Sequence, residues 1–190
     1  GGIAKGYVLD ITDQSKVLAC FSKIVEDLGP VWCLVNNAGV VDQRPFEEVT
    51  PAQLDRIFKV NVYGAIYCSQ AALLTMKDLG DGRIISFSSK SGKTGSALMA
   101  PYSAAKGAII ALTHALAFEY ASRNIKVNCV CPGITEATGV WSNVSEGYTK
   151  NMSLPKEEVV KKFTAKIPLA RLTRIEDVVE FIHFITVSGG

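Results

Sequence analysis

Apolar residues follow two different spacings along the chain, and the alternation predicts short strands separated by helices. Strands are predicted at residues 7–9, 31–35, 83–88 and 125–131. Helical spacing covers residues 14–28, 51–79, 102–122 and about 175–185. Strands that alternate with helices form a parallel sheet covered by helices on both faces. The pattern therefore predicts an α/β fold, a doubly wound parallel sheet in three layers.

The alternation stops between residues 134 and 168. This segment contains Trp141, Tyr148 and Pro155 and has no clear strand. Long connections in compact domains are often functional, and many of them close over a binding site. We expect a single domain over residues 1–190, in which residues 134–168 form a substrate loop or lid with short helices.

Composition excludes several classes of partner. The chain has 190 residues, of which 48% are hydrophobic, and 20 basic against 18 acidic residues give a net charge of +2. Charge so evenly balanced does not favour binding to nucleic acid or to an anionic membrane. The longest apolar stretch, residues 107–118, is too short to span a bilayer. Composition therefore predicts neither a nucleic-acid partner nor a membrane partner.

The cysteines and histidines do not suggest a metal site. The five cysteines, at positions 20, 33, 68, 129 and 131, include no Cys-x-x-Cys pair, and the chain has only two histidines. Most of these cysteines fall in apolar segments, which is typical of reduced thiols in a reducing compartment. The sequence therefore predicts a cytoplasmic protein without a bound metal.

Tyr102 and Lys106 are the strongest candidates for chemistry. Residues four apart lie on one face of a helix, so the ammonium can approach the phenol oxygen. A nearby positive charge favours phenolate and lowers a tyrosine pKa from its usual value of about 10. Such a tyrosine could exchange a proton with an alcohol oxygen. Taken alone, the pair is more often a chance feature of a helix.

Four further signals lie along the chain, and three of them stand where a predicted strand ends. Ser89 ends one strand, and Asn36-Asn37-Ala38-Gly39 ends another. Asn61 lies within a helix, where an amide is a mediocre helix former, and Pro132-Gly133 marks a turn after the strand at residues 125–131. Open α/β sheets bind ligands in the crevice at the carboxyl ends of their strands. The set predicts a ligand site at that edge.

In this order and spacing, the motifs resemble the short-chain dehydrogenase/reductase family, from about Asp10 to the end of the chain. The resemblance implies an NAD- or NADP-dependent oxidoreductase that interconverts an alcohol and a ketone. It makes Tyr102 the acid/base and Lys106 the residue that lowers its pKa and binds the nicotinamide ribose. Ser89 would hold the reacting oxygen, and Asn61 would hold a water in a proton relay.

The same resemblance implies a set of cofactor-binding residues. Tyr102 and Lys106 belong to it, together with Asp10, Ile11, Asn37, Ala38, Gly39, Pro132, Gly133, Ile134 and Thr135. Asp10 would meet the adenine, although it could instead cap the helix that begins near Thr12-Asp13.

The expected glycine-rich phosphate loop does not precede the first predicted strand. If residues 7–9 are the third strand of a sheet ordered 3-2-1-4-5-6, we expect one βαβ unit of roughly 45–55 residues upstream and one strand downstream of this sequence. The residue that would separate NAD from NADP falls in that upstream unit, so both cofactors remain open. A chain that truly lacked this unit would be a non-catalytic binding or structural subunit.

The substrate prediction carries two alternatives. Residues 89–96 and the segment from Trp141 to Arg171 resemble sugar-alcohol dehydrogenases of the family, with Ser89, Ser91 and Trp141 as substrate contacts and Ser142 as a further hydroxyl. A small polyol or hydroxyketone is favoured over an apolar carbonyl such as an oxoacyl thioester or a steroid, which residues 97–99 could accommodate.

The resemblance also implies a homotetramer in which the helices at residues 51–79 and 102–122 pair between subunits. Apolar residues on these helices include Ile66, Ala72, Leu73, Ile109, Leu112 and Leu116. The alternative is that these faces only cover the sheet of their own subunit.

Overall fold

A parallel three-stranded sheet forms the centre of the protein. In the computed structural model, which describes residues 2–136, 138–152 and 155–188, the strands are β1 (Cys33–Asn36), β2 (Gly82–Phe87) and β3 (Ile125–Val130). Their order is β1-β2-β3, with Cys33 beside Arg83 and Gly82 beside Ile125 in the two registers. The predicted α/β fold with a parallel sheet is confirmed.

Helices precede, separate and follow the strands along the chain. Their bounds are α1 Gln14–Leu28, α2 Pro51–Phe58, α3 Ala65–Leu79, α4 Lys90–Thr94, α5 Ala100–Tyr120, α6 Gly139–Met152, α7 Lys156–Thr164 and α8 Ile175–Val187. Five residues of β2, from Gly82 to Ser86, are buried, which is expected for a parallel strand covered on both faces. The main core cluster joins α3, β2 and β3 through Ala72, Leu73, Met76, Ile84, Ile125 and Val127.

The helix predicted at residues 51–79 is interrupted by a π-helical turn. Its start is confirmed, because Thr50 caps Pro51–Phe58 in a reciprocal capping box with Gln53. Lys59–Gly64 then forms the π-helical turn before α3 begins. Within this turn the Asn61 side chain donates to the Ile57 carbonyl at 2.9 Å, a group that a regular helix would use for its own ladder. Such π-helical turns are frequent at functional sites.

The strand predicted at residues 7–9 is absent, and Val8 is fully exposed. A strand is defined by the neighbour with which it exchanges backbone hydrogen bonds, and no described segment lies beside this one in that way. Its side chains instead attach to α1. The Tyr7 hydroxyl donates to Asp27 at 2.7 Å, and Lys5 forms an ion pair with the same carboxylate.

The segment over residues 134–168 contains helices, as predicted. Two of them, α6 and α7, are described, whereas residues 137, 153 and 154 lie outside the described residues. A parallel bridge between Thr135 and Thr173 ties the start of the segment to the chain before α8. Within the described residues, no helix is both long enough and apolar enough to cross a bilayer.

Candidate functional site

Tyr102 and Lys106 lie one turn apart near the start of α5, and both are buried in the crevice beside β2. The Lys106 ammonium nitrogen is 5.7 Å from the centroid of the Tyr102 ring. Tyr102 belongs to an apolar cluster with Val41, Met99 and Val159. The two residues therefore share one helix face, as their spacing predicts, and they do so within a mostly apolar environment.

Lys106 is held by backbone contacts on both sides. Its Nζ donates to the Phe87 carbonyl at 2.7 Å, while its own carbonyl accepts from the Ser88 hydroxyl at 2.7 Å. A Cβ added at Gly92 would lie 2.7 Å from the carbonyl carbon of Lys106, so only glycine allows α4 to approach α5 this closely. Burial lowers the pKa of Lys106 to about 8. These contacts fix the ammonium at the carboxyl end of β2.

The expected lowering of the Tyr102 pKa by Lys106 is not found in this structure. Burial raises the pKa of the Tyr102 phenol, and a hydrogen bond with the Ser89 side chain lowers it by less. Desolvation of the phenolate is therefore the larger effect on the Tyr102 pKa. The Lys106 ammonium donates to the Phe87 carbonyl. With its pKa above the usual value, Tyr102 stays protonated at neutral pH.

Ser89 lies at the junction of β2 and α4. As the N-cap of α4, its Oγ accepts from the Ser91 backbone N–H at 3.1 Å. The neighbouring residues are tied to the chain after β3, because Ser88 N–H donates to the Val130 carbonyl and Lys90 N–H donates to the Pro132 carbonyl. Since Oγ accepts in the cap, the Ser89 O–H remains able to donate to a substrate oxygen.

Asn61 is buried in the π-helical turn and faces the loop after β1. Its Nδ2 donates to the Val40 carbonyl at 2.8 Å and to the Ile57 carbonyl, and its Oδ1 accepts from Val40 N–H at 3.3 Å. Both amide hydrogens are thus used by the protein. Only Oδ1 could hold the predicted relay water through the side chain, so the contacts in this structure make Asn61 primarily an anchor of this loop.

Gly39 connects Asn61 to Lys106. A Cβ added at Gly39 would lie 2.9 Å from Asn61 Oδ1 and 3.5 Å from Lys106 Nζ. The structure therefore brings the Asn-Asn-Ala-Gly motif, the π-helical turn and α5 together at one point. Asn37, Ala38 and Gly39 are exposed here at the carboxyl end of β1, which leaves their backbone open to a ligand.

The residues predicted after β3 lie at the same edge of the sheet. Gly133 is exposed, while Pro132, Ile134 and Thr135 are half-buried. Backbone hydrogen bonds tie this turn to Thr173, whose N–H donates to the Ile134 carbonyl at 2.9 Å. Parallel strands put their carboxyl ends on one edge, so this turn and the loop after β1 flank Ser89.

The two predicted adenine-side residues differ in their contacts. The Asp10 carboxylate accepts from the backbone N–H and the hydroxyl of Thr12, and these bonds lower its pKa. The helix cap of α1 is Asp13, so the alternative role for Asp10 is not realised. The Ile11 side chain packs against the end of the π-helical turn, where a Cβ added at Gly64 would lie 2.5 Å from its Cδ1, and against Cys68 and Ala71 of α3.

The predicted substrate contacts are more enclosed than expected. Ser91 is buried, and its hydroxyl is 2.8 Å from the Ser96 hydroxyl. Trp141 is buried in α6, and Ser142 is exposed there with its hydroxyl donating to the Thr138 carbonyl at 3.4 Å. Two of the three predicted hydroxyl contacts, those of Ser91 and Ser142, are therefore already engaged within the protein.

Sequence reasoning missed three residues near the site. Ser88 and Gly92 position Lys106. The serine pair at residues 88 and 89, shortly before Gly92, was the sequence signal that could have indicated them. Leu98 has a backbone φ of +64°, unusual for a residue other than glycine, and its carbonyl accepts from Arg44 N–H at 2.9 Å. Strained backbone held by a neighbouring loop is a feature of functional sites.

Within residues 2–136, 138–152 and 155–188, no three histidine, cysteine or acidic side chains are grouped as a metal would require. The chemistry available at the site is therefore that of a buried phenol, a buried ammonium and a serine hydroxyl around one crevice. This set suits proton transfer to or from an oxygen.

Comparison with known proteins agrees with this geometry. The chain is 36% identical over 185 residues to 2-(S)-hydroxypropyl-CoM dehydrogenase 3 of Xanthobacter autotrophicus, covering 97% of this chain and 70% of that protein. It is 32% identical over 186 residues to sorbitol dehydrogenase of Cereibacter sphaeroides, covering 97% and 72%. The chain thus spans about 70% of the length of these relatives.

Solved structures show the same fold. Sorbitol-6-phosphate 2-dehydrogenase from Erwinia amylovora superposes with a TM-score of 0.92 at 31% identity, over 97% of this chain and 72% of that one. An NAD+-bound xylitol dehydrogenase gives 0.89 at 30% identity, over 94% and 70%. An actinorhodin polyketide ketoreductase with NADPH gives 0.92 at 32% identity, over 97% and 71%.

Residues 1–149 match the family described as short chain dehydrogenase, which is most of the chain and includes Asn61, Ser89, Tyr102 and Lys106. The Rossmann-like parallel sheet, the shared crevice and this match agree with one another. The chain belongs to the short-chain dehydrogenase family.

Proposed function

We propose that the protein is an NAD- or NADP-dependent oxidoreductase that interconverts an alcohol and a ketone, with a small polyol or hydroxyketone as substrate. The observation that carries the proposal is the convergence of Tyr102, Lys106 and Ser89 at the carboxyl end of β2. A phenol, an ammonium and a hydroxyl around one crevice form the equipment needed to hold an oxygen and move its proton.

Tyr102 carries the proton in this scheme. In ketone reduction its phenol donates a proton to the carbonyl oxygen as that oxygen gains negative charge. In alcohol oxidation the phenolate accepts the proton back. Because burial raises the pKa of Tyr102, the protonated form that reduction requires is the one present at neutral pH.

Ser89 and Lys106 prepare the same oxygen and its surroundings. The Ser89 O–H donates to the reacting oxygen, and its position is fixed by the cap of α4. Lys106 supplies a positive charge whose ammonium donates to the Phe87 carbonyl, while the Ser88 hydroxyl holds the Lys106 backbone carbonyl. Asn61 holds the loop that contains Gly39 close to the Lys106 ammonium. A water bound to Asn61 Oδ1 would link the Asn61 side chain to the proton path.

The residues around the crevice fit a nicotinamide nucleotide. Gly39 leaves a cradle that a side chain would fill, bordered by the buried Lys106 ammonium, which suits a ribose hydroxyl. The open backbone of Asn37, Ala38 and Gly133 offers further contacts, with Ile134 and Thr135 alongside. When bound, the nicotinamide would give or take the hydride. Among similar structures, one is described with NAD+ and another with NADPH, so we propose either cofactor.

The substrate class rests on the relatives and on the polar character of the crevice. Sorbitol, sorbitol-6-phosphate and xylitol dehydrogenases are among the similar proteins. Ser89 offers a hydroxyl beside the Tyr102 phenol, and Ser91 and Trp141 lie in α4 and α6. A site that binds hydroxyl groups discriminates strongly against analogues that lack them.

Reduction of an oxoacyl thioester is the second candidate. The actinorhodin ketoreductase superposes as closely as the sorbitol-6-phosphate enzyme, with a TM-score of 0.92 for each. Met99 packs beside Tyr102 in an apolar cluster, which would suit a less polar substrate. A non-catalytic role is the remaining alternative, since one relative at 35% identity is described as an inactive 2-(S)-hydroxypropyl-CoM dehydrogenase 2.

We also propose that the protein assembles as a homotetramer through α3 and α5. The residues that the sequence offered for this contact give weak support, because Ala72, Leu73 and Ile109 are buried in the core of the subunit. Better support comes from Leu74 and Phe118, whose exposed fractions are 56% and 86%. Light scattering that gave a monomer mass at micromolar concentration would reject the tetramer.

A turnover panel on the full chain tests the reaction and the substrate class. We expect oxidation of sorbitol, xylitol, mannitol or 2,3-butanediol, or reduction of acetoin, with NAD or NADP. Higher kcat/KM for a steroid or an oxoacyl thioester than for every polyol and acetoin would reject the polyol assignment. No turnover of any alcohol or ketone with either cofactor would reject the oxidoreductase itself.

A further inference from the structure

A buried amide in the loop after β1 has no hydrogen-bond partner in the part of the chain that the structure describes. Both Nε2 and Oε1 of Gln43 are buried, and neither has a hydrogen-bond partner within residues 2–136, 138–152 and 155–188. Native proteins satisfy nearly all buried polar groups, so an unpaired amide calls for a specific explanation such as a ligand. Gln43 lies four residues after Gly39, in the loop that leaves the carboxyl end of β1.

The loop around Gln43 is firmly held. The Asp42 carboxylate accepts from the Gln43 backbone N–H at 2.9 Å and forms an ion pair with Arg44 at 3.0 Å. Arg44 N–H in turn donates to the Leu98 carbonyl. The Gln43 amide therefore extends from an ordered backbone. Movement of the loop does not explain why this amide lacks a hydrogen-bond partner among the described residues.

Gln43 follows a residue of the Tyr102 cluster in the chain and lies against α6. Two residues earlier, Val41 belongs to the apolar cluster that includes Tyr102 and Met99. On the other side, the Gln43 amide lies against Gly147 of α6, where an added Cβ would collide with Gln43 Oε1. A glycine at this position of α6 is what leaves room for the amide.

We propose that Gln43 is a specificity-determining residue that binds a hydroxyl of the substrate other than the one that reacts. This inference rests on the proposed function. An amide offers both donors and an acceptor, and a hydroxyl both donates and accepts, so the two groups satisfy each other. A substrate without that hydroxyl would leave the buried amide unpaired, which is the basis of strong discrimination.

The test compares alcohols that differ in their hydroxyls. Gln43→Met keeps the length of the side chain and removes its polar atoms. The matched control is Gln70→Met, because Gln70 is an exposed glutamine whose Oε1 accepts from Gln14 Nε2 at 3.0 Å. Oxidation of 2,3-butanediol is compared with that of 2-butanol, and oxidation of sorbitol with that of 2-hexanol, using the full chain and NAD or NADP.

We expect Gln43→Met to lower kcat/KM for 2,3-butanediol or sorbitol by at least about tenfold, while the value for the matching mono-alcohol changes by less than about twofold. Gln70→Met should change neither. Gly147→Ala should give the same selective loss as Gln43→Met, because the added methyl displaces the amide.

Thermal unfolding separates this role from a structural one. If the amide has no partner in the free protein, Gln43→Met should leave Tm unchanged or raise it. A lower Tm together with an equal loss for diol and mono-alcohol would overturn the proposal, and so would unchanged kinetics on every substrate.

Turnover by the wild-type chain shows whether the role of Gln43 or the proposed function has failed. A wild-type chain that reduces an oxoacyl thioester but oxidises neither sorbitol nor 2,3-butanediol would keep the reaction class and reject the role of Gln43. A wild-type chain without any turnover would reject the proposed function, and the inference with it.

Discussion

The residues around the proton path and the helices after β3 are built differently. Asn61, Ser88 and Lys106 are only 2%, 4% and 4% exposed, and each side chain bonds to a backbone carbonyl at 2.7–2.9 Å. In contrast, α8 exposes Phe181 and Phe184 by 52% and 60%. The first region is held by short polar contacts within the core, and the second presents apolar side chains at the surface.

We infer from this difference that proton transfer and the selection of a substrate depend on different regions of the protein. Proton transfer requires groups at fixed distances, and buried bonds to the backbone supply that precision. Selection of a substrate needs only a change in what surrounds those groups. Relatives of this chain are described as a sorbitol dehydrogenase and as a putative ketoacyl reductase, so similar chains carry names of different substrates.

Lys106→Met gives the largest expected effect on stability. Burial lowers the pKa of Lys106 to about 8 from 10.5, so between those values the unfolded chain binds more protons than the folded chain. The destabilising contribution of Lys106 is therefore complete below pH 8 and disappears as pH rises towards 10.5. Relative to Lys106→Met, the wild type should gain about 3 kcal/mol across that range.

Urea denaturation of both proteins at pH 7.5 and pH 10.5 measures this gain, and groups common to both proteins cancel. An unchanged difference between the two pH values would mean that the ammonium is not desolvated as described. Activity should be lost at every pH, because the charge at the crevice is removed.

Gly92→Ala tests whether the catalytic region tolerates any added volume. The new methyl would lie within 2.9 Å of three backbone atoms of Lys106 and Gly107, so we expect a loss of about 1–3 kcal/mol in the free energy of unfolding. The matched control lies in the other region. At Gly139 of α6 a Cβ would meet nothing within 4 Å, so Gly139→Ala should leave stability unchanged or raise it. Equal losses at the two positions would break the comparison.

Thr50→Ala gives the smallest effect. Thr50 caps α2 through Gln53, far along the chain from Tyr102, so its loss should cost about 1 kcal/mol of stability. The value of kcat should not change, because the contacts of Asn61 are made by other residues. Ser22→Ala, an exposed mid-helix hydroxyl, is the control and should cost less. A kcat that fell with Thr50→Ala would show that the cap of α2 positions the site.

The sheet and the shared helix face of Tyr102 and Lys106 are predictable from the sequence for a physical reason. Buried strands such as 83–88 require apolar residues, and their carboxyl ends meet at one edge whatever the details of packing. The Tyr102–Lys106 spacing on a helix likewise brings both groups to one face. These features depend on local pattern and on general topology.

Other features depend on contacts that a linear pattern does not contain. The π-helical turn arises from the Asn61 contacts with Val40 and Ile57, and the absence of a strand at residues 7–9 reflects the lack of a neighbour to pair with. The direction of the Tyr102 pKa depended on the competition between burial and charge, which spacing alone cannot decide. The Gln43 amide, which has no hydrogen-bond partner among the residues that the structure describes, likewise depends on the position of α6.

Tyr102→Phe tests the central claim most directly, because it removes one hydroxyl and nothing else. We expect kcat for the best alcohol to fall by about 10² to 10⁴, while Tm and cofactor binding are nearly unchanged. The measurement is the rate of NAD or NADP reduction by the full chain with a saturating polyol, beside calorimetry and cofactor titration of both proteins. A variant that kept more than about a tenth of the wild-type kcat would contradict the assignment of Tyr102 as the acid/base.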